Sequence, residues 1–171
     1  MRQEQPDFRK ADGASLGSKN PDWEAGMTLK EILKGKGSKV WWVRGAQTIQ
    51  EAVSVLVREG IGALLVLGPQ NNIVGIISER DIIRGCSDDI KNVGARKVSE
   101  LMTKDLIVAS PEDDVNDLMQ LMTEHRVRHI PVVQNGQLQG IVSIGDVVKS
   151  MIHESEHQIR YLKEFIYGPG I

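Results

Sequence analysis

Two carboxylates stand in the same local setting in this 171-residue chain. Asp81 follows Ser78 by three residues in Gly75–Asp81 (GIISERD), and Asp146 follows Ser143 by three in Gly140–Asp146 (GIVSIGD). A carboxylate at a strand-to-helix corner can accept two hydrogen bonds from the vicinal hydroxyls of a ribose, with the serine facing the same corner. The same two residues can instead cap the helix that starts there, which is the commoner use of Asp in that position. The cations near the two copies differ. Arg126, Arg128 and His129 lie in HRVRHIPV, whereas their counterparts around Ile61, Gly62 and Ala63 carry no charge. Guanidinium forks match phosphate geometry, so carboxylate and arginine together suit a nucleotide.

Other candidate chemistry is weaker. His153-Glu154-Ser155-Glu156-His157 fits the letters of a zinc-protease helix, but Arg160 and Lys163 stand where an extended pattern needs Gly and His, and Glu164 on the same helix cannot close around a metal. No metal site is expected, and a solvated helix face is the simpler reading. Cys86, the one cysteine, has no histidine near it in sequence and reads as a small structural residue; its solitude points to a reducing compartment. Gly35-Lys36-Gly37-Ser38-Lys39 lacks P-loop spacing, and no Gly-rich turn leads from a strand into a helix as a dinucleotide fold requires.

The elements that position these residues come in duplicate. Thr28 with Glu31 forms a capping-box pattern opening a short helix through Leu33, which Gly35 and Gly37 end. Val40 to Val43 reads as a strand; Thr48 with Glu51 opens a helix whose apolar stripe is Ile49, Ala52, Val53, Leu56 and Val57. Leu64–Leu67 and Ile73–Ile77 flank the turn Gly68-Pro69-Gln70-Asn71-Asn72 as a hairpin, and Asp81 then starts a helix that fades into the polar segment from Gly85 to Lys97.

The second half repeats the order: a short helix at Val98–Met102, a strand at Leu106-Ile107-Val108, Asp114 with Asp117 as the helix start, and an apolar stripe of Val115, Leu118, Met119 and Met122. Equivalent residues lie 66 apart from Ile49/Val115 to Leu67/Val133, and 65 apart through Gly75/Gly140 and Asp81/Asp146. The slip falls in the hairpin turn, where an insertion is cheapest. Each unit is too small to cover its own sheet, so the two are expected to pack on each other.

Two αβαββα units carrying GIISERD and GIVSIGD resemble tandem CBS domains, the pair called a Bateman module, over about Thr28 to Met151. The resemblance implies an α/β fold with two repeats packed as a pseudo-twofold pair, divided as a flexible arm over 1–26, first repeat 27–92, second repeat 93–151 and a C-terminal helix 152–171. It implies a regulatory rather than catalytic protein whose central cleft takes AMP, ADP, ATP or NAD, which acts in trans on a protein partner, and which forms a homodimer through exposed module helices. Carried onto this sequence, the primary site holds the ribose on Ser78 and Asp81 beside Ile76, flanks adenine with Leu106 and Ile107, and meets phosphate with Arg128 and His129. The second site uses Ser143 and Asp146 with Val40 and Trp41, and Arg80 as its cation. That inequality predicts one strong site and one weak one. The competing reading is a ligand-free structural or dimerisation module, with incidental metal capture at the C-terminal helix.

Composition is that of an ordinary soluble globular domain: 40% hydrophobic, 26% charged and 4% aromatic residues predict an aliphatic core, and a net charge of −2 gives no case for a basic nucleic-acid-binding face. The N-terminal MRQEQPDFRKADG lacks the apolar core of a signal peptide, and no run is long enough for a membrane span, so the cytoplasm is expected. Trp23 is the only anchor expected in the polar arm, and a sparse stripe of Ile152, Ile159, Leu162, Phe165 and Ile166 predicts a closing helix that docks on the module or pairs with a second subunit.

Overall fold

A computed structural model describes residues 26–37 and 39–168; the arm expected over the first residues, with Trp23, lies outside these except for Gly26. The helices begin where short polar side chains satisfy free backbone N–H groups. Glu31 Oε2 accepts from Thr28 N at 3.0 Å ahead of α1 (Leu29–Lys36), and Glu51 Oε2 from Thr48 N at 2.7 Å ahead of α2 (Ile49–Glu59). Between them lies the short strand β1 (Trp42–Arg44). β2 (Ala63–Leu67) pairs parallel with β1 and antiparallel with β3 (Ile73–Ser78), and α3 (Glu79–Asp89) follows directly. Helix α3 runs beyond the expected fade at Gly85, because Gly85 and Cys86 face the first core rather than solvent.

The second half contains α4 (Val98–Leu101), α5 (Val115–Glu124), the hairpin β4 (His129–Gln134) and β5 (Gln137–Ser143), and α6 (Ile144–Tyr167). Asp114 caps α5 by accepting from Asn116 N at 2.7 Å. The strand expected at Leu106–Val108 is not one: this segment is extended but joins β4 only at Ala109, through Ala109 N to Pro131 O at 3.0 Å and Val133 N to Ala109 O at 2.8 Å. Both hairpins carry a bulge one step before the turn, at Val66/Leu67 and at Val132/Val133. Asn135 and Gly136, at φ 51° and 73°, make the tight second turn, where only residues tolerant of left-handed backbone fit.

Chain order and packing are crossed. Leu29 and Ile32 of α1 are buried against Val115, Leu118, Ile130 and Val142, in the second half's core; Val98 of α4 is buried against Val43, Ile49, Leu64 and Ile77, in the first half's. Reciprocal backbone bonds fasten the exchange: Leu29 N to Asp113 O at 3.1 Å and Val115 N to Met27 O at 3.0 Å on one side, Val98 N to Gln47 O at 2.8 Å and Ile49 N to Arg96 O at 2.9 Å on the other. A third apolar cluster fills the seam between the sheets. It joins Val40, Trp42, Leu65 and Ile76 from one repeat to Leu106, Val108, Leu138 and Ile141 from the other. The result is the α/β pseudo-twofold pair expected, with neither repeat able to close its core without the other.

Candidate functional site

The seam opens on one side into a cavity of about 650 Å³, a volume suited to a small organic ligand. Its first wall is the β3–α3 corner. Ser78 is the N-cap of α3 and Asp81 sits three residues on. Asp81 Oδ2 accepts from Ser78 N at 2.9 Å and from Ser78 Oγ at 2.6 Å. The helix therefore begins at Glu79, two residues before the expected start at Asp81. Capping occupies one carboxylate oxygen; Oδ1 receives only a long bond from Thr103 Oγ1 at 3.4 Å and borders the cavity. Ribose binding and capping are compatible on one carboxylate, since four lone-pair sites serve both.

Thr103 reaches this corner because the segment after α4 crosses β3. Ile76 and Thr103 exchange both backbone hydrogen bonds at 2.9 Å, and a Cβ added to Gly75 would lie 2.7 Å from Thr103 O and 2.8 Å from Met102 Sδ. The glycine opening GIISERD is there to let a second backbone pass. In GIVSIGD, a Cβ on Gly140 would meet Leu33 Cδ2 at 2.6 Å instead, the end of a side chain from α1.

The opposite wall comes from the other repeat: His125, Arg126, Val127, Arg128 and His129. The two walls meet where Arg80 reaches across and donates to Arg126 O at 2.6 Å. Arg126 holds φ 54° at the end of α5, the position at which the first repeat has Gly60 at φ 64°. A left-handed non-glycine residue costs on the order of 1 kcal/mol, so the second repeat carries an arginine where glycine would be easier. His129 packs close to Gly62, whose added Cβ would sit 3.1 Å from Cε1. Burial, then the nearby Lys36 charge, push the His129 imidazole below its ordinary pKa. That shift favours the neutral imidazole, which can still donate one hydrogen bond.

Of the residues predicted from sequence, Ile76, Ser78, Asp81, Arg128 and His129 line this cavity together. Leu106 and Ile107 do not line it: Leu106 packs in the seam and Ile107 in the second core. Arg80, expected in the second cleft, belongs to the first cavity, because position 80 lies on the first turn of α3 beside Asp81. Val40 packs in the seam and Trp41 in the first core, with Lys39 Nζ 4.1 Å from the Trp41 ring centroid. Ser143 and Asp146 repeat the corner geometry, with Ser143 Oγ to Asp146 Oδ2 at 2.6 Å, yet their cation is Lys36, which donates to Asp146 Oδ2 and to Ile141 O at 3.0 Å. Burial opposes ionisation of Asp146, but the bonds from Lys36 and Ser143 outweigh it and hold the carboxyl below the usual carboxylate range.

The sequence reading missed Glu79, Arg84 and Thr103 on the cavity wall, and noted Arg126 as a nearby cation without placing it in the site. Arg126 had a readable signal, since it aligns with Gly60 at the repeat spacing; Thr103 had none, because its place depends on the helix exchange. His153 and His157 lie on exposed turns of α6, and among the described residues no three His, Cys, Asp or Glu side chains gather as a metal site. Nor is any described helix long and apolar enough to cross a membrane.

The comparisons with known proteins agree with the fold. The CBS-domain family model matches twice, at residues 37–88 and 98–153. A mitochondrial CBS domain-containing protein of Arabidopsis thaliana is 37% identical over 149 residues, covering 82% of this chain and 72% of its own. The crystal structure of a CBS-domain containing protein from Agrobacterium tumefaciens superposes with a TM-score of 0.73 at 35% identity, over 77% of this chain and 99% of that one. The CBS domain pair of protein MJ0100, solved with 5′-methylthioadenosine and S-adenosyl-L-methionine, has a TM-score of 0.65 at 23% identity, over 75% of this chain and 98% of that one, a likeness of fold alone.

Proposed function

The chain belongs to the CBS-domain family, and we propose that it is an adenine-nucleotide sensor whose ligand bridges the two repeats in the cavity between Asp81 and Arg128. One observation carries this reading: a carboxylate corner suited to a ribose and a cluster of cations suited to phosphate face each other across one cavity, from opposite repeats. Asp81 Oδ1 and Ser78 take the ribose, Ile76 lies beside the base, and Arg128 with Arg126 and Arg80 meets the phosphates. His129 donates to phosphate as a neutral imidazole and gains charge once an anion is beside it. With Arg84 also on the wall, more than one phosphate can be neutralised, so ADP, ATP or the diphosphate of NAD suits the site better than AMP.

Ligand spanning two repeats favours the relative orientation it fits, by its differential affinity for that orientation. The output of that shift is read in trans, by a protein partner or through the homodimer; no step of the reading requires catalysis, and the cytoplasm is the proposed compartment. Thermal unfolding of the whole chain with AMP, ADP, ATP and NAD at millimolar concentration tests it, because a ligand bound only by the folded state raises the melting temperature by mass action. A rise largest for the di- or triphosphate supports the reading. No rise with any of the four leaves the ligand-free structural module as the better account.

A further inference from the structure

Helix α6 is one continuous helix of 24 residues, but the molecule covers only its beginning. Val147 is fully buried and Met151 partly so, whereas Ile152, Ile159, Leu162, Phe165 and Ile166 are 53–78% exposed. Contiguous large apolar side chains left in water mark an interface, and a projecting segment this short is marginal as an isolated helix. Their spacing is regular. Ile152, Ser155, Ile159, Leu162 and Ile166 alternate steps of three and four, the seam of a two-stranded coiled coil.

We propose that this seam is covered by the same seam of a second copy of the chain, with the two helices antiparallel. Charge selects both direction and register. Residues flanking the isoleucines are Glu156 and Lys163, and those flanking Ser155 and Leu162 are Met151, Gln158 and Phe165. In an antiparallel pair like flanks face each other. Setting Ile159 against the second copy's Leu162 brings Glu156 against the second copy's Lys163, and the twofold axis makes that contact twice. Sliding one heptad toward the modules would instead set Glu156 on Glu156 and Lys149 on Lys163. A parallel pair would face Met151 to Glu156 and Gln158 to Lys163, with no ion pair at all. Within one chain Glu156 meets only the His153 ring, at 3.8 Å, and Lys163 has no ion-pair partner among the described residues. The selected register overlaps residues 154–167, about 20 Å of helix, and leaves the two modules at opposite ends with their cavities open.

Sedimentation equilibrium on the whole chain tests this. A concentration-dependent dimer is expected, which Glu156→Lys and Lys163→Glu each weaken by about tenfold and the doubly exchanged variant restores, with unchanged melting temperatures showing that the modules stay folded. In a Cys86→Ser background, Ser155→Cys with Ile166→Cys should form a disulfide dimer on oxidation, while Ile166→Cys alone should not. A chain that is monomeric at every concentration, as it would be if its own residues 1–25 or another protein cover the seam, overturns the proposal. So does failure of the double exchange to rescue, or cross-linking by Ile166→Cys alone, which a parallel pair would give.

Discussion

The β3–α3 and β5–α6 corners are built alike and are available to a ligand to different degrees. In both, serine is the N-cap and the aspartate three residues on accepts from the serine backbone and hydroxyl, at 2.9 and 2.6 Å for Asp81 and 2.7 and 2.6 Å for Asp146. What differs is the segment passing in front. At Asp81 it supplies the neutral Thr103 hydroxyl at 3.4 Å; at Asp146 it supplies the Lys36 ammonium. Both corners leave Oδ1 outside the cap; what separates them is that the Asp146 carboxylate already has a counterion on Oδ2, whereas Asp81 has only the long Thr103 hydroxyl bond. A shared local motif thus guarantees a shared cap, while the charge set against each carboxylate is decided by the residue the exchanged segment brings.

The sharpest way to separate capping from binding is to make the same change at both corners. Asp81→Asn and Asp146→Asn each weaken one capping box, worth about 0.5–2 kcal/mol. Only Asp81→Asn should also lower nucleotide affinity, measured by calorimetry. Arg128→Ala should lower that affinity by about tenfold or more, since a charged hydrogen bond is worth about 1.5–3 kcal/mol, without unfolding the protein. Equal affinity losses at the two aspartates would erase the distinction between the sites, and an unchanged affinity in Arg128→Ala would remove that residue from the cavity's function.

The two motif glycines give the next test. Gly75→Ala forces its Cβ onto the Thr103 carbonyl at 2.7 Å, backbone that is itself held by two hydrogen bonds, and should cost about 1–3 kcal/mol in denaturant unfolding. Gly140→Ala presses only on the end of the Leu33 side chain, which can rotate, and should cost less. A reversed order would mean that the crossing at Thr103 is the looser of the two. Arg126→Gly is a smaller effect of opposite sign: it relieves the left-handed backbone at φ 54°, stabilising the fold by about 0.5–1 kcal/mol, while nucleotide binding weakens. Stability gained at the expense of affinity would identify the strained arginine as retained for its side chain.

How far these features could be read in advance depended on their range. Repeats, helix caps and the alternating strands are local, and Thr48, Ser78 and Ser143 announce their helices within four residues of sequence. Pairing across the seam is not local. Nothing around Lys36 says that it will reach Asp146, 110 residues away, because that contact exists only once α1 has crossed to the second core. The misplacement of Arg80 has the same origin: pseudo-symmetry suggested a cation for the second corner, and the chain supplied one from the exchanged helix instead. Leu106 and Ile107 were expected at an adenine, but their alternation sends one side chain to the seam and the next to the core, leaving the wall to Thr103.

The finest test of the inequality is its pH dependence. His129, on the second repeat's wall, is held below its ordinary pKa of 6.5 first by burial and then by Lys36, with Arg128 acting the same way and Glu79 and Asp146 opposing. As pH falls through 6.5 the unfolded chain takes up a proton that the folded, ligand-free protein does not, so stability should decline from about pH 6.5 downward until the folded-state pKa is passed. A phosphate beside the ring acts in the opposite sense, since it raises the imidazole's pKa and binds the charged form better. Nucleotide affinity should therefore increase between pH 7.5 and 6 while the free protein loses stability over the lower part of that range. His129→Gln should flatten both trends. If the variant keeps the slope of the parent chain, the titrating group lies elsewhere, and the phosphate end of the site must be assigned to the arginines alone.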